Sequence, residues 1–128
     1  MKPFPARNVY GEPLATCGTD PVTGFYRDGC CNTGNEDRGI HTVCARVTQE
    51  FLAFSRSKGN DLASPNPMAG FRGLRPGDCW CLCAGRWLEA HRAAKAPGVF
   101  LRATHEETLA IIPLEVLEPY ALDQTRSQ

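Results

Sequence analysis

Gly77-Asp78-Cys79-Trp80-Cys81-Leu82-Cys83-Ala84 joins a turn signature to a run in which cysteines alternate with apolar residues. Side chains along a strand point to opposite faces in turn, so an extended backbone here puts Trp80, Leu82 and Ala84 on one face. Cys79, Cys81 and Cys83 then share the other. One face packs a core while the other lines up three sulfurs. Downstream, a helix is expected from Arg86 to about Lys95, burying Trp87, Leu88 and His91 and ended by Pro97-Gly98. Val99 to Thr104 reads as a further strand, and Leu109 to Ile112 fits either strand or helix. Pro113 opens a short helical turn through Leu114, Leu117 and Glu118 that Pro119 ends.

Upstream lies a second regular region. Ile40 to Val47 is rich in β-branched residues and reads as a strand. Thr48 then caps a helix from about Gln49 to Lys58, with Glu50 in its first turn and Val47, Phe51 and Phe54 on one buried face. Gly59 stands where such a helix stops. Elsewhere turns dominate: of the 22 Gly and Pro residues, 17 fall within Met1 to Gly39 and Gly59 to Gly77, and both types disfavour regular interiors. Short strands followed by helices, beside so much loop, predict an α+β fold, a small two-layer α/β domain with a loop-rich N-terminal third. A loop region of that length needs something to hold it, whether packing, disulfides or a metal.

The 128 residues suit a single domain from Met1 to Gln128, with Met1 to Arg7 and Thr125 to Gln128 as flexible ends. Apolar residues at 42% and charged residues at 22% exclude a disordered or fibrous chain. No apolar run approaches the length of a bilayer-spanning helix, and the first residues lack the apolar core of a signal peptide, so the default compartment is the cytoplasm. Fourteen basic and fourteen acidic residues balance to a formal charge of zero. Neither nucleic acid nor an acidic membrane is therefore indicated as a partner.

Several motifs recur together in order: Cys30-Cys31-Asn32-Thr33-Gly34, His41-Thr42-Val43-Cys44-Ala45, Glu50-Phe51-Leu52-Ala53-Phe54-Ser55, Gly59-Asn60-Asp61-Leu62, the strand opened above, and Ala103-Thr104-His105-Glu106. On these motifs the chain resembles the bacterial domain-of-unknown-function family numbered 2237, from about Asn8 to Asp123. The resemblance implies a small α/β domain and supplies no catalytic residue. In that family Arg usually stands where this chain has Cys79, which gives Cys79 the least weight among the seven cysteines.

Three roles are open to those cysteines. Structural disulfides are disfavoured in a cytoplasmic setting. Cys81 and Cys83 on one strand would stand roughly 6.6 Å apart at the Cα atoms, near the limit a disulfide tolerates, and adjacent Cys30 and Cys31 would form a strained ring. The leading reading is a binding module in which the cysteines stay a reduced thiol set or hold a metal, zinc by ligand chemistry: Cys81 and Cys83 offer two thiolates, and Cys30, Cys31 and Cys44 with His41 or His105 offer the rest if the loop folds over that strand. No standard finger or ribbon spacing is present, however. The second role is catalytic, with Cys81 or Cys83 as nucleophile and the His105-Glu106 pair as oriented base. The third is packing, since free cysteine behaves as a small buried hydrophobe. Asp20, Asp28 and Asp37, among glycines, are read as turn residues.

Overall fold

Thr42-Val43-Cys44-Ala45 is fully buried because the strand that carries it is the middle one of three. The computed structural model describes residues 6–123. In it β1 (His41–Arg46) pairs antiparallel with β2 (Cys79–Cys83) on one side and with the two-residue β3 (Gly98–Val99) on the other. α1 (Gln49–Ser57) follows β1, and α2 (Ala84–Arg92) follows β2 and packs on both strands and on α1. A single turn, α3 (Leu114–Leu117), and short 3-10 turns complete the regular structure. The class is α+β, as the sequence predicts. Among the described residues no helix is long and apolar enough to cross a membrane.

Local chemistry explains each boundary. The Thr48 hydroxyl accepts the Phe51 N–H at 3.0 Å and starts α1. Gly59, at φ 87°, ends it, the Gly59 and Asn60 N–H groups returning to the Arg56 and Ser55 carbonyls. α2 begins two residues before the expected Arg86, directly on Cys83, and the Ala84 N–H donates to the Ile40 carbonyl at 2.9 Å. It ends short of Lys95 because Ala94 turns to φ 60°. There the Lys95 N–H bonds to the Ala90 carbonyl at 2.8 Å, the same cap built on alanine instead of glycine.

The expected strand from Val99 to Thr104 survives only at Val99. The Asp123 carboxylate takes the Leu101 and Arg102 N–H groups at 2.8 and 2.9 Å, drawing the chain off the sheet into a 3-10 turn at Leu101–Ala103. Another 3-10 turn, Glu106–Ala110, covers the start of the ambiguous Leu109 stretch. Trp87 lies fully buried with its indole N–H on the Pro97 carbonyl at 3.1 Å, amid Phe51, Leu82, Leu101, Ile112 and Leu117. Each such side chain contributes roughly 1.5–3 kcal/mol of apolar burial.

The loop-rich third is tied down by side chains. Asn8, 1% exposed, accepts the Tyr10 and Glu12 N–H groups and donates to the Arg102 carbonyl. Thr23 accepts the Cys81 N–H at 2.9 Å. Cys44 and Cys81, opposite one another on β1 and β2, are each joined to a loop cysteine, Cys17 to Cys44 and Cys31 to Cys81. This corrects the expectation that the thiols stay reduced. The geometric objection applied only to neighbours in sequence, whereas these pairs are 27 and 50 residues apart with Cα atoms 5.7 and 5.3 Å apart. The expected flexible ends fall outside the described residues except at Ala6 and Arg7. Those two are bonded, the Leu14 N–H to the Ala6 carbonyl and the Arg7 guanidinium to the Gly11 carbonyl.

Candidate functional site

The β1–β2 register shifts between His41 and Val43, and the irregularity sets His41 directly opposite Cys83. Residues so paired hold their Cβ atoms about 5 Å apart. The preceding residue, Ile40, has φ 50°, a left-handed conformation that a β-branched residue adopts only under constraint. Its carbonyl accepts both the Thr42 and the Ala84 N–H at 2.9 Å, locking the start of β1 to the start of α2. Strain of this kind concentrates at functional sites. Cys83 is also the N-cap residue of α2, where the helix dipole favours negative charge.

Behind His41 stands Asp37, whose side chain is fully buried. Its Oδ1 lies 2.6 Å from the His41 Nδ1, and its Oδ2 accepts the His41 N–H at 2.9 Å and the Thr33 hydroxyl at 3.1 Å. Burial alone would push this carboxyl up, but the bonds from His41 outweigh it and hold it below the usual range. His41 keeps its proton to about 9, raised first by its hydrogen bond to the Cys83 side chain and next, against burial, by Asp37. Gly39 leaves room for the pair. A Cβ there would sit 3.1 Å from the Cys83 sulfur and 2.7 Å from the His41 Cε1.

His41 and Cys83 face a pocket of about 410 Å³ whose walls include Phe25, Arg27, Phe71 and Trp80. Phe25 stacks on the His41 ring at 6.0 Å between centroids. A thiol, an imidazole and a carboxylate in sequence, opening on a cavity, form the constellation that activates a sulfur nucleophile.

The remaining candidates are distributed as follows. Of the proposed metal ligands, Cys31, Cys44 and Cys81 gather beside Cys17, which was not among them. The sulfurs of Cys17, Cys31 and Cys81 lie within 4.8 Å of one another. Cys30, Cys79 and Cys83 are free thiols, and burial chiefly pushes the Cys79 thiol up. His41 is engaged with Asp37 and Cys83 instead of that sulfur cluster. His105, 9% exposed, caps the turn at Glu106–Ala110, its Nδ1 accepting the Glu107 N–H at 3.0 Å, and neither it nor exposed Glu106 lines the Cys83 pocket. The catalytic candidate Cys81 has its sulfur bonded to Cys31. His91 stacks on Trp87 and bonds the Tyr120 hydroxyl at 2.9 Å, a packing role.

The sequence reveals neither Asp37 as a participant nor the pairing of His41, expected as a metal ligand, with Cys83. Asp37 was grouped with turn residues, although its spacing of four from His41 across Gly39 was the available signal. The opposition of His41 and Cys83 depends on a register irregularity that periodicity does not carry.

A family model described as uncharacterized protein conserved in bacteria (DUF2237) matches residues 7–121, nearly the whole chain. No curated protein matches it.

Proposed function

The chain belongs to this bacterial family, and for it we propose a thiol-dependent enzyme in which Cys83 is the nucleophile, His41 its proton carrier and Asp37 the group that orients His41. One observation carries this reading: the His41 imidazole stands opposite Cys83 in the ladder with the buried Asp37 carboxylate 2.6 Å behind it, at the wall of a cavity. An imidazolium beside a thiol favours the thiolate. The thiolate attacks an electrophilic carbon of the substrate, a carbon–sulfur bond forms, and the leaving group departs with its electron pair. His41 delivers the proton that came from the thiol to that leaving group.

The test is alkylation at pH 7 by limiting iodoacetamide without reductant, each thiol followed by peptide mass. Cys83 should react at least about tenfold faster than Cys30 and Cys79, the latter slowed by burial. His41→Gln should abolish the difference while the circular dichroism of the fold persists, and Asp37→Asn should reduce it. Equal reactivity of the three thiols ends the proposal.

A second reading is supported by the sulfur cluster. Reduction of both disulfides by a dithiol would free four thiols, of which Cys17, Cys31 and Cys81 already hold their sulfurs within 4.8 Å of one another. Tetrahedral zinc takes thiolates about 2.3 Å from the ion. Dialysed reduced protein should then retain one zinc per chain; retention unaffected by Cys17→Ser and Cys81→Ser excludes it.

A further inference from the structure

Outside the reacting pair, the charge on the lining of the Cys83 pocket is cationic. Arg27 and His41 line it, and no aspartate or glutamate does so among the described residues. The nearest carboxylate to the reacting pair, Asp37, is fully buried behind the imidazole. Arg27 is exposed, and none of the ion pairs among the described residues includes it. Its guanidinium lies over the Trp80 ring at 5.0 Å from the centroid, and one nitrogen donates to the Gly24 carbonyl at 2.7 Å. A guanidinium carries five N–H donors in a fixed fork, so most remain for a ligand.

The backbone also fixes this arginine. Arg27 has φ 54° and its N–H returns to the Gly24 carbonyl at 2.9 Å. Gly24 is itself at φ 102°, and a Cβ on it would overlap the Cys30 carbonyl. A long, charged side chain is thus held in a left-handed turn, where such residues are uncommon, and laid along an aromatic wall. Phe71, packed against Trp80 at 5.3 Å, and Phe25, packed against His41, extend the aromatic wall, and Asn60 and Asn66 also line the pocket.

We propose that the pocket selects a small carboxylate-bearing electrophile with a flat apolar portion, its anionic group held by Arg27 and its apolar portion laid against Trp80, Phe71 and Phe25. The proposal rests on Cys83 being the nucleophile and adds the class of substrate. Pockets of 300–1,000 Å³ suit small molecules, and the exposed Arg27 guanidinium, with no carboxylate on the described lining, draws anions to this one.

Iodoacetate and iodoacetamide differ in charge and react alike. With either, the Cys83 sulfur displaces iodide from the methylene carbon, iodide leaves with the bonding pair, and the thiol proton passes through His41 to solvent. The iodoacetate-to-iodoacetamide rate ratio at Cys83, divided by the same ratio at Cys30, should be about ten. Arg27→Gln should bring it near one. Benzoate should protect Cys83 from iodoacetamide more than acetate or benzamide does. A normalised ratio near one in the unaltered protein, a ratio insensitive to Arg27→Gln, or equal protection by the three compounds overturns the substrate class and leaves the nucleophile standing. Slow reaction of Cys83 with both reagents overturns the nucleophile itself, and the proposal with it.

Discussion

His41 gathers the local chemistry into a single titration. Its proton is held to about 9 in the folded chain against 6.5 for an unconstrained imidazole, first through Cys83 and then through Asp37. Because the folded form binds this proton more tightly, the stabilisation is complete below about pH 6.5 and is lost as pH rises through about 9. Asp37 runs the other way: its carboxyl is lowered from 3.8, so its contribution is present above that value and disappears as the folded group is protonated below it. The His41 ring resonances, followed by NMR, should titrate near 9, and Cys83→Ala should move that midpoint down toward 6.5. A midpoint indifferent to Cys83 would show that the sulfur does not bond the ring. The same reasoning predicts that urea midpoints fall between pH 6.5 and 9 and that His41→Gln flattens this fall.

At the level of elements, α1 and α2 end with the same hydrogen-bond pattern on different residues, glycine at position 59 and alanine at 94. The left-handed conformation costs an L-residue with a side chain about 1 kcal/mol, and glycine avoids it. Exposed Ala94→Gly should therefore raise unfolding free energy by about 1 kcal/mol in urea titration; an unchanged or lower value would mean that Ala94 is not confined to that backbone region. The contrast explains what was legible. Gly59 announces its cap, and Thr48 and Glu50 announce the start of α1, so that helix could be drawn from sequence to within a residue of its end. Ala94 announces nothing, and the sequence carries α2 three residues past its end at Arg92. The strand after Gly98 was misread for a different reason, since a carboxylate 22 residues beyond Leu101 takes its N–H. The site divided likewise. Cys83 at a strand-to-helix junction was visible as a pattern, whereas its partner was sought in His105, next in chain order to an acid, when the true neighbour came through a register shift at His41.

For the whole molecule, the two disulfides connect the part of the chain without regular elements to the centre of the sheet. Cys17 and Cys31 flank the loop that carries Phe25 and Arg27, and their partners Cys44 and Cys81 face each other across β1 and β2. Closing loops of 27 and 50 residues limits the unfolded chain by about 3–4 kcal/mol each on the entropic account, and less together because the loops overlap. The thiol of Cys83 takes no part in either bond. Its environment does depend on them, because one pocket wall belongs to the stapled loop while His41 and Cys83 belong to the sheet. Protein unfolded without reductant should accordingly show three free thiols of its seven, and all seven after a dithiol. Mild reduction should speed amide exchange over residues 14–39 well before it does so in β1 and α2, whose packing on Trp87 and Leu82 needs no sulfur. Iodoacetamide should still find Cys83 in that reduced state, while the preference for iodoacetate falls with the loss of Arg27 from its place over Trp80. Exchange rising uniformly across loop and sheet would instead mean that the disulfides hold the core itself, and that the loop and the sheet melt as one cooperative unit.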